Sequence, residues 1–599
     1  MTKRAILSSL SALLLSATAL AAQRPADAPA TGPSGTPPDT VRLEELTWAE
    51  VRDLIKAGTD TVIIGTAGTE QKGPHMVDGE HKFVMQWTAD KIARELGKTL
   101  VAPVIAYVPE GSWENPGGHM AKPGTITLPD DRFVPLLVNA GRSLKAGGFK
   151  TILFLGESGG NRNGMRDAAR QLNELWADGS AKAYWIDDYY TKSHNDQNAW
   201  ITEHMGIPAN EIGGHANLLD TSELMFVNPK HVRPDRFAPG GGYQNSGVSG
   251  DPSRSSAEIG KTFLDIKIRN AVAEIRGVMD GSIGDDGMAR AMGRVTAPAR
   301  GGGGRAGRAG GGGGRGGNAA RGGGGGRGGN AGRGGNAAPE GPRPPTMVSA
   351  PAGIMPTRAP DTVFIDELTW EETRDAMKAG KTTVIIPTGG TEKNGYHMVL
   401  GKHNFIVTYA ADRMARQLGT ALVAPTVQYV PEGNVDRQNP GAISNPSPAY
   451  DQLLDAAARS LQVHGFTDIL FIGDSGPNQA GMRAVADALN AEWKDTGTRV
   501  YALTDYYEGG RDRYRAWMQQ TFGYDDTIVG SHAGISDTSQ MLFVHPEGIR
   551  KDQIKPWGGP ADSGVSGDPT KATAEIGQKG IEFKIAAGLD QYRALKGRQ

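Results

Sequence analysis

The chain has 599 residues, 64 basic and 66 acidic side chains, and no cysteine. Such a balance gives no electrostatic reason to expect a nucleic-acid or membrane-surface partner, and the missing cysteines exclude disulfides, thiolate metal sites and lipid attachment at a cysteine. Any metal must be held by His, Asp or Glu, and the length calls for more than one core.

Residues 1–22 place Lys3 and Arg4 ahead of a short apolar run that ends in small residues, with Ala19-Leu20-Ala21 matching an A-x-A cleavage site. This is the pattern of a secretory signal peptide. The run is too short and too interrupted by Ser and Thr to span a bilayer comfortably. The expected location is secreted or periplasmic, with no membrane span after cleavage. A flexible Pro/Ala-rich segment, 23–42, follows.

From residue 43 the pattern alternates. "TVIIGT" reads as a strand, His81 to Leu96 as a helix, "TLVAPVIAYV" as a strand and Arg132 to Ala146 as a helix. "TILFL", a helix from Met165 to Trp176, and the strand "AKAYWI" complete the series. Continuous β-branched strands separated by amphipathic helices predict an α/β domain, a mainly parallel sheet covered by helices on both faces. Chemistry in such folds collects beyond the carboxyl ends of strands. Glu70 and Glu157 directly follow strands.

This first domain is expected to cover 43–285. Residues 286–360 are read as a disordered Gly/Arg-rich linker, with eight arginines and one glutamate between Arg300 and Arg343. Its glycines carry the largest ordering entropy and it has little apolar surface to bury. RGG-like arrays also occur in RNA-binding tails, but in an exported chain the plain tether is the preferred reading. No nucleic-acid partner is expected.

The domain is then written again over 361–599. "LTWAEVRDLIKAGTDTVIIGTAGTEQKGPHM" returns as "LTWEETRDAMKAGKTTVIIPTGGTEKNGYHM". The offset is 322 from Leu46/Leu368 through Pro109/Pro431, and 317 from Gly124/Gly441 through Asp251/Asp568. A near-constant offset over both copies means duplication, so a proposed site must be tested in each.

Five blocks, "GTEQKGPHMVDGEH", "KPGTITL", "LFLGESGGN", "GGHANLLDTSELMF" and "GVSGDPSRSSAEIG", occur in order and recur in the second copy. They resemble the creatininase (creatinine amidohydrolase) family. That resemblance implies an α/β protein, commonly a homo-oligomer, that uses a divalent metal pair to hydrolyse cyclic amides and related C–N bonds of small-molecule substrates.

The departures alter what it implies. Positions that supply Glu, His and Asp ligands in the family hold Glu70, Lys72 and His81 here, and Glu392, Asn394 and His403 in the second copy. A further ligand histidine is replaced by Ser158 and Ser475, and another ligand position by Gly160 and Pro477. A protonated lysine has no lone pair to give, so an intact two-metal centre is not expected. The donors retained suggest a single ion, Zn, Mn or Fe, held by Glu70, His81, Glu157 and Asp220 in copy one. Glu392, His403, Asp474 and Asp537 would hold one in copy two. His81, at the start of a helix, has a surface or capping role as its alternative.

His215 and His532 match the family histidine that resembles a proton shuttle, and a pKa near neutrality suits that role. Lys72 is read as a fixed cation that replaces a lost metal's charge and polarises a carbonyl. His75 and His397 are read as structural, tying a loop to backbone carbonyls. Gly156 to Gly160 also fits G-x-S-x-G, a nucleophile elbow around Ser158. Copy two puts Pro477 at its last position, and the flanking blocks keep the creatininase register. The functions carried forward are metal-dependent amide or cyclic-amide hydrolysis, a degenerate fold kept for ligand binding or assembly, and a serine esterase.

Overall fold

The computed structural model describes residues 39–284 and 361–597. The expected signal peptide, 1–22, most of the segment after it and the Gly/Arg-rich linker lie outside the described residues. Among the described residues no helix is long and apolar enough to cross a membrane.

Copy one runs α1 (Trp48–Lys56), β1 (Thr61–Thr66), α2 (Glu80–Leu96), β2 (Thr99–Val101), α3 (Asp130–Ala146), β3 (Thr151–Gly156), α4 (Asn161–Leu175), β4 (Lys182–Trp185), α5 (Thr191–Met205), α6 (Leu218–Val227), α7 (Tyr243–Ser246) and α8 (Ala257–Met279). Copy two follows with α9 (Trp370–Lys378), β5 (Thr383–Thr388), α10 (Lys402–Leu418), β6 (Ala421–Val423), α11 (Ala449–Val463), β7 (Asp468–Gly473), α12 (Asn478–Glu492), β8 (Arg499–Ala502), α13 (Glu508–Phe522), α14 (Asp526–Val529), α15 (Ile535–Val544) and α16 (Ala574–Lys596). Each copy has a four-stranded, all-parallel sheet, ordered β2-β1-β3-β4 and β6-β5-β7-β8.

The strand "TLVAPVIAYV" is shorter than its composition suggests. Regular pairing with β1 stops at Val101, with a last bond from the Ala102 N–H to the Ile63 carbonyl; past Pro103 the chain returns to β1 at Ile105, whose N–H donates to the Gly65 carbonyl, while Val108 bridges to Thr127 outside the sheet.

Side-chain alternation divides the core. On one face of the first sheet Val62, Ile64, Ile152 and Phe154 meet Phe133, Leu136 and Leu137 of α3 and Leu172 of α4. On the other, Ile63, Leu153 and Leu155 meet Met85, Ala89 and Ile92 of α2 and Ile268, Ala271 and Ile275 of α8. Burying one such aliphatic side chain stabilises the fold by about 1.5–3 kcal/mol.

The α3 face does not end at the domain boundary. Its cluster continues into Ile365, Leu368, Leu400, Leu454 and Phe471, so the two copies share one core. Contacts across the seam occur in repeat-related pairs. The Tyr107 hydroxyl donates to the Pro425 carbonyl and the Tyr429 hydroxyl to the Pro103 carbonyl. Arg233 pairs with Glu372 at 2.9 Å and Arg550 with Glu50 at 2.7 Å. Both glutamates also close a capping box at the start of α9 or α1, so each side chain secures a helix end and a seam at once.

Candidate metal centre

Each site lies beyond the carboxyl ends of β1 and β3, or of β5 and β7. After β1 the chain passes a hairpin-like bend in which the Glu70 N–H donates to the Asp78 carbonyl at 2.9 Å. This bend presents Glu70 and Lys72, and α2 starts at once with Glu80 and His81. A short 3-10 turn, Gly118–Ala121, brings in His119. The Glu157 N–H donates to the Thr66 carbonyl, at the mouth between the two central strands.

His215 and Asp220 belong to one local device. Ala216 has φ +50°, as does Ala533 in copy two, a left-handed conformation that costs a non-glycine residue roughly 1–2 kcal/mol. It turns the Ala216 N–H onto Asp220 Oδ2 at 2.8 Å, and the Ala533 N–H makes the same bond to Asp537 Oδ2. Strain retained in both copies directly after the histidine marks the site as one that fixes backbone geometry.

In copy one all six site residues expected from the sequence line a single cavity of about 400 Å³: Glu70, Lys72, His81, Glu157, His215 and Asp220. They divide into groups. His81 Nε2 lies 2.8 Å from Glu70 Oε1. The Lys72 ammonium sits 3.2 Å from Glu70 Oε1, 3.1 Å from Glu80 Oε2 and 3.1 Å from Asp220 Oδ2. Glu157 is occupied by the Tyr189 hydroxyl and the buried Lys267 ammonium, which also pairs with Glu223 at 2.6 Å. Asp220 and Glu157 thus answer to lysines, not to an imidazole.

Glu70, His119 and His215 form a group whose ligating atoms lie within 4.8 Å of one another. Glu70 Oε2 and His119 Nδ1 are buried, make no hydrogen bond and stand 3.2 Å apart. His215 Nε2 lies 2.8 Å from the Gln71 carbonyl, which takes the ring proton on that side and leaves Nδ1 as a lone pair 3.8 Å from Glu70 Oε1. Burial, with the nearby Lys72 charge, pushes His215 down to about 3, and burial also lowers His119; both imidazoles are neutral, as ligands must be. Burial acts to raise Glu70, but His119, Lys72 and His81 together hold it well below the usual carboxylate range. One carboxylate and two neutral imidazoles fit one divalent ion. They do not fit a pair, because the Lys72 ammonium occupies the space between Glu70 and Asp220.

His119 was not among the sequence candidates. It lies where the repeat offset drops from 322 to 317, in a stretch that is five residues shorter in copy two and has no histidine there, so comparing the copies passes over it. The change of offset was the available signal. A second wall residue recurs in both copies: Glu110, and its counterpart Glu432. Burial, then the facing Glu70 or Glu392, drives each carboxyl well above its ordinary value.

Copy two joins its residues differently. His403 bridges Glu392 and Asp474 at 2.8 Å on each ring nitrogen. The Lys402 ammonium pairs with Asp537 at 2.6 Å and Glu392 at 3.3 Å. His532 Nε2 reaches Glu392 Oε1 at 3.2 Å, and its Nδ1 faces the Gly564 carbonyl at 2.8 Å. The five residues expected there form one ionic network in which the histidine nitrogens and the Glu392 Oε1 and Asp474 oxygens already have partners.

Ser158 lines the first cavity, its Oγ accepting the Gly160 N–H at 3.3 Å. Among the described residues no hydrogen bond joins His215 to Ser158, since its Nε2 faces the Gln71 carbonyl and its Nδ1 faces Glu70, so the serine lacks the base an elbow needs. His75 and His397 are structural through threonine hydroxyls, Thr221 at 2.9 Å and Thr538 at 2.8 Å, where backbone carbonyls were expected.

A Creatininase family model, described as creatinine amidohydrolase, matches residues 44–275 and again 366–589. The chain is 26% identical over 205 residues to a creatinine amidohydrolase of Pseudomonas putida, covering 32% of this chain and 76% of that one. It is 26% identical over 218 residues to a mycofactocin precursor peptide peptidase of Mycolicibacterium smegmatis, covering 33% and 78%. A 3-dehydro-scyllo-inosose hydrolase of Thermotoga maritima shares 28% over 123 residues, 20% of this chain and 37% of that one. A solved structure described as creatininase with Mn aligns with a TM-score of 0.34 and 19% identity, over 40% of this chain and 98% of the other.

Proposed function

Since the chain belongs to the creatininase family, we propose that its first copy is a metal-dependent hydrolase that opens an amide or cyclic-amide C–N bond in a small molecule. The observation that carries this reading is the buried, unpartnered donor pair Glu70 Oε2 and His119 Nδ1, with His215 Nδ1 beside it. Glu70, His119 and His215 would hold one ion, with Zn, Mn and Fe all compatible with the donors. A divalent cation supplies Lewis acidity toward a carbonyl and toward water at such a site.

The remaining steps belong to the protein. Gln71 holds His215 in the tautomer that keeps Nδ1 open. Asp220, Glu80 and Glu70 hold Lys72 protonated at the cavity wall, where its N–H groups can face a carbonyl oxygen that gains charge. Glu110 keeps a proton, because it and Glu70 cannot both ionise at this separation from water. This places a proton donor in the cavity for the leaving nitrogen, a role the sequence assigned to His215. The expected metal set of Glu70, His81, Glu157 and Asp220 is replaced in this proposal by Glu70, His119 and His215.

Elemental analysis of the purified full chain tests it, with Glu70→Gln, His119→Ala and His215→Ala beside the parent and turnover followed on a panel of cyclic amides and short peptides. One equivalent of divalent metal in the parent, lost in the variants together with turnover, is expected. A folded parent without metal would sink the reading. The closed ionic network of copy two favours a different role for that half, ligand binding or assembly without catalysis. We also read residues 1–22 as an export signal; N-terminal sequencing of the mature chain starting near residue 23 is the expected result.

A further inference from the structure

The two copies place an ammonium against the same carboxylates from different positions in the chain. In copy one it belongs to Lys72, 3.2 Å from Glu70 Oε1 and 3.1 Å from Asp220 Oδ2. The counterpart of Lys72 is Asn394, whose amide donates to the carbonyls of Glu392 at 2.9 Å and Val399 at 3.1 Å and carries no charge. In copy two the ammonium belongs to Lys402, the counterpart of Glu80, 3.3 Å from Glu392 Oε1 and 2.6 Å from Asp537 Oδ2. Glu392 and Asp537 are the repeat counterparts of Glu70 and Asp220, and the same oxygen of each is engaged. The charge has kept its place while its carrier has moved from the bend to the first residue of a helix.

A lysine kept for the sake of the bend or of the helix would not change its position in this way. What both copies preserve is a cation between two particular carboxylate oxygens, buried to 1% exposure in each case. Burying an ammonium costs several kcal/mol before its partners repay it, so its retention by two routes calls for a reason in the site. An ammonium neutralises oxygens as a metal ion does, but it offers donors only and has no coordination position for a further ligand. The copies also differ in sum. Lys72 with Glu80 is neutral, whereas Asn394 with Lys402 carries one positive charge, and copy two has no counterpart of His119.

We propose that Lys72 and Lys402 are built-in cations, each filling a position that a divalent ion would otherwise take, so that copy one accepts a single ion and copy two none. The copy-one half of this inference rests on the function proposed above; the copy-two half does not. Removing Lys402 therefore leaves Glu392 and Asp537 to hold a divalent cation in its place. Moving the charge back to the bend, with Asn394→Lys and Lys402→Glu together, restores the parent's behaviour.

The test uses the full chain dialysed against Zn2+ or Mn2+, read by elemental analysis and by thermal unfolding with the metal or with a chelator. Lys402→Met is expected to hold one more equivalent of metal than the parent. It is also expected to melt lower in chelator by at least about 5 °C, a loss the metal reverses. The double variant is expected to show the parent's metal content and melting temperature. A folded Lys402→Met with the parent's metal content overturns the inference, and so does a Lys402→Met chain that metal cannot restore to a folded state. A double variant as unstable as Lys402→Met in chelator overturns it as well. A metal-free parent whose Lys402→Met variant gains one equivalent leaves the copy-two half standing and overturns the copy-one half together with the proposed centre. One equivalent in both chains does the reverse.

Discussion

Asp78 is fully buried against the seam between the copies, and neither of its carboxyl oxygens makes a hydrogen bond from a side chain. Burial, then the charges of Glu372, Glu70 and Asp366, push its carboxyl well above the ordinary value, and the Trp370 amide offsets only part of this. Copy two has Leu400 at the same place, also fully buried. The folded chain therefore holds a proton on Asp78 that the unfolded chain releases above about pH 4, and stability falls as pH rises from there toward the folded-state pKa. Asp78→Leu is expected to raise stability at pH 7 by about 1–3 kcal/mol, and the gain over the parent to shrink as pH falls to about 4. Chemical denaturation at the two pH values measures both; an equal gain at each would refute the account. The cost was not legible in the sequence, where Asp78 reads as a polar residue in a loop, because the partner surface that buries it comes from residues 366–372. Glu70 was legible because it comes shortly after a strand in both copies, and His215 because the block around it recurs in both copies and resembles that of the family. The pairing of Glu157 with Lys267 was not: that lysine comes from α8, 110 positions away.

At the scale of elements, the turn Gly118–Ala121 decides whether His119 can serve. It is held from its own copy by the Thr125 hydroxyl, which donates to the His119 carbonyl at 2.9 Å. From the other copy His464, at the end of α11, directs Nε2 at the Met120 carbonyl at 3.1 Å. Burial lowers His464 to about 4, so at neutral pH it is an uncharged donor. An outer residue that orients a ligand typically changes metal affinity by about 10–100-fold. His464→Ala is expected to weaken metal binding by that factor while Glu70→Gln abolishes it, with the helical circular dichroism of both variants unchanged; affinity equal to the parent's would count against the clamp. The same scale explains the reading of the fold. Hydrophobic periodicity located the central strands and the three helices between them, α2, α3 and α4, because those segments are buried on a regular repeat, but not α1, α5, α6 or α8. It overextended the strand after Thr99, where an apolar run continues past Pro103 although regular pairing with β1 ends at Val101.

For the whole molecule, the shared core sets how the copies depend on each other. Leu43, Leu46 and Val51 of copy one are fully buried together with Ile365, Leu368 and Leu400. The Asp78 N–H donates to the Leu368 carbonyl and the Leu400 N–H to the Leu46 carbonyl, each at 2.8 Å. A surface with that much apolar area and that many paired backbone groups is a domain core divided in two. Either half alone would expose it to water, and large exposed apolar patches drive association. If residues 39–284 and 361–597 are produced as two separate chains in one cell, they are expected to copurify as a 1:1 complex. Each produced alone is expected to aggregate or to pair with itself through the same face. Light scattering after size exclusion distinguishes these outcomes. Trp370→Ala offers a graded version, since its fully buried indole donates to the Ser246 carbonyl at 3.1 Å across the seam. Truncating a buried tryptophan costs about 3–5 kcal/mol, and that loss should fall on the association of the two chains. Two soluble, monomeric halves that do not bind each other would show that the seam is incidental and that each copy closes its own core.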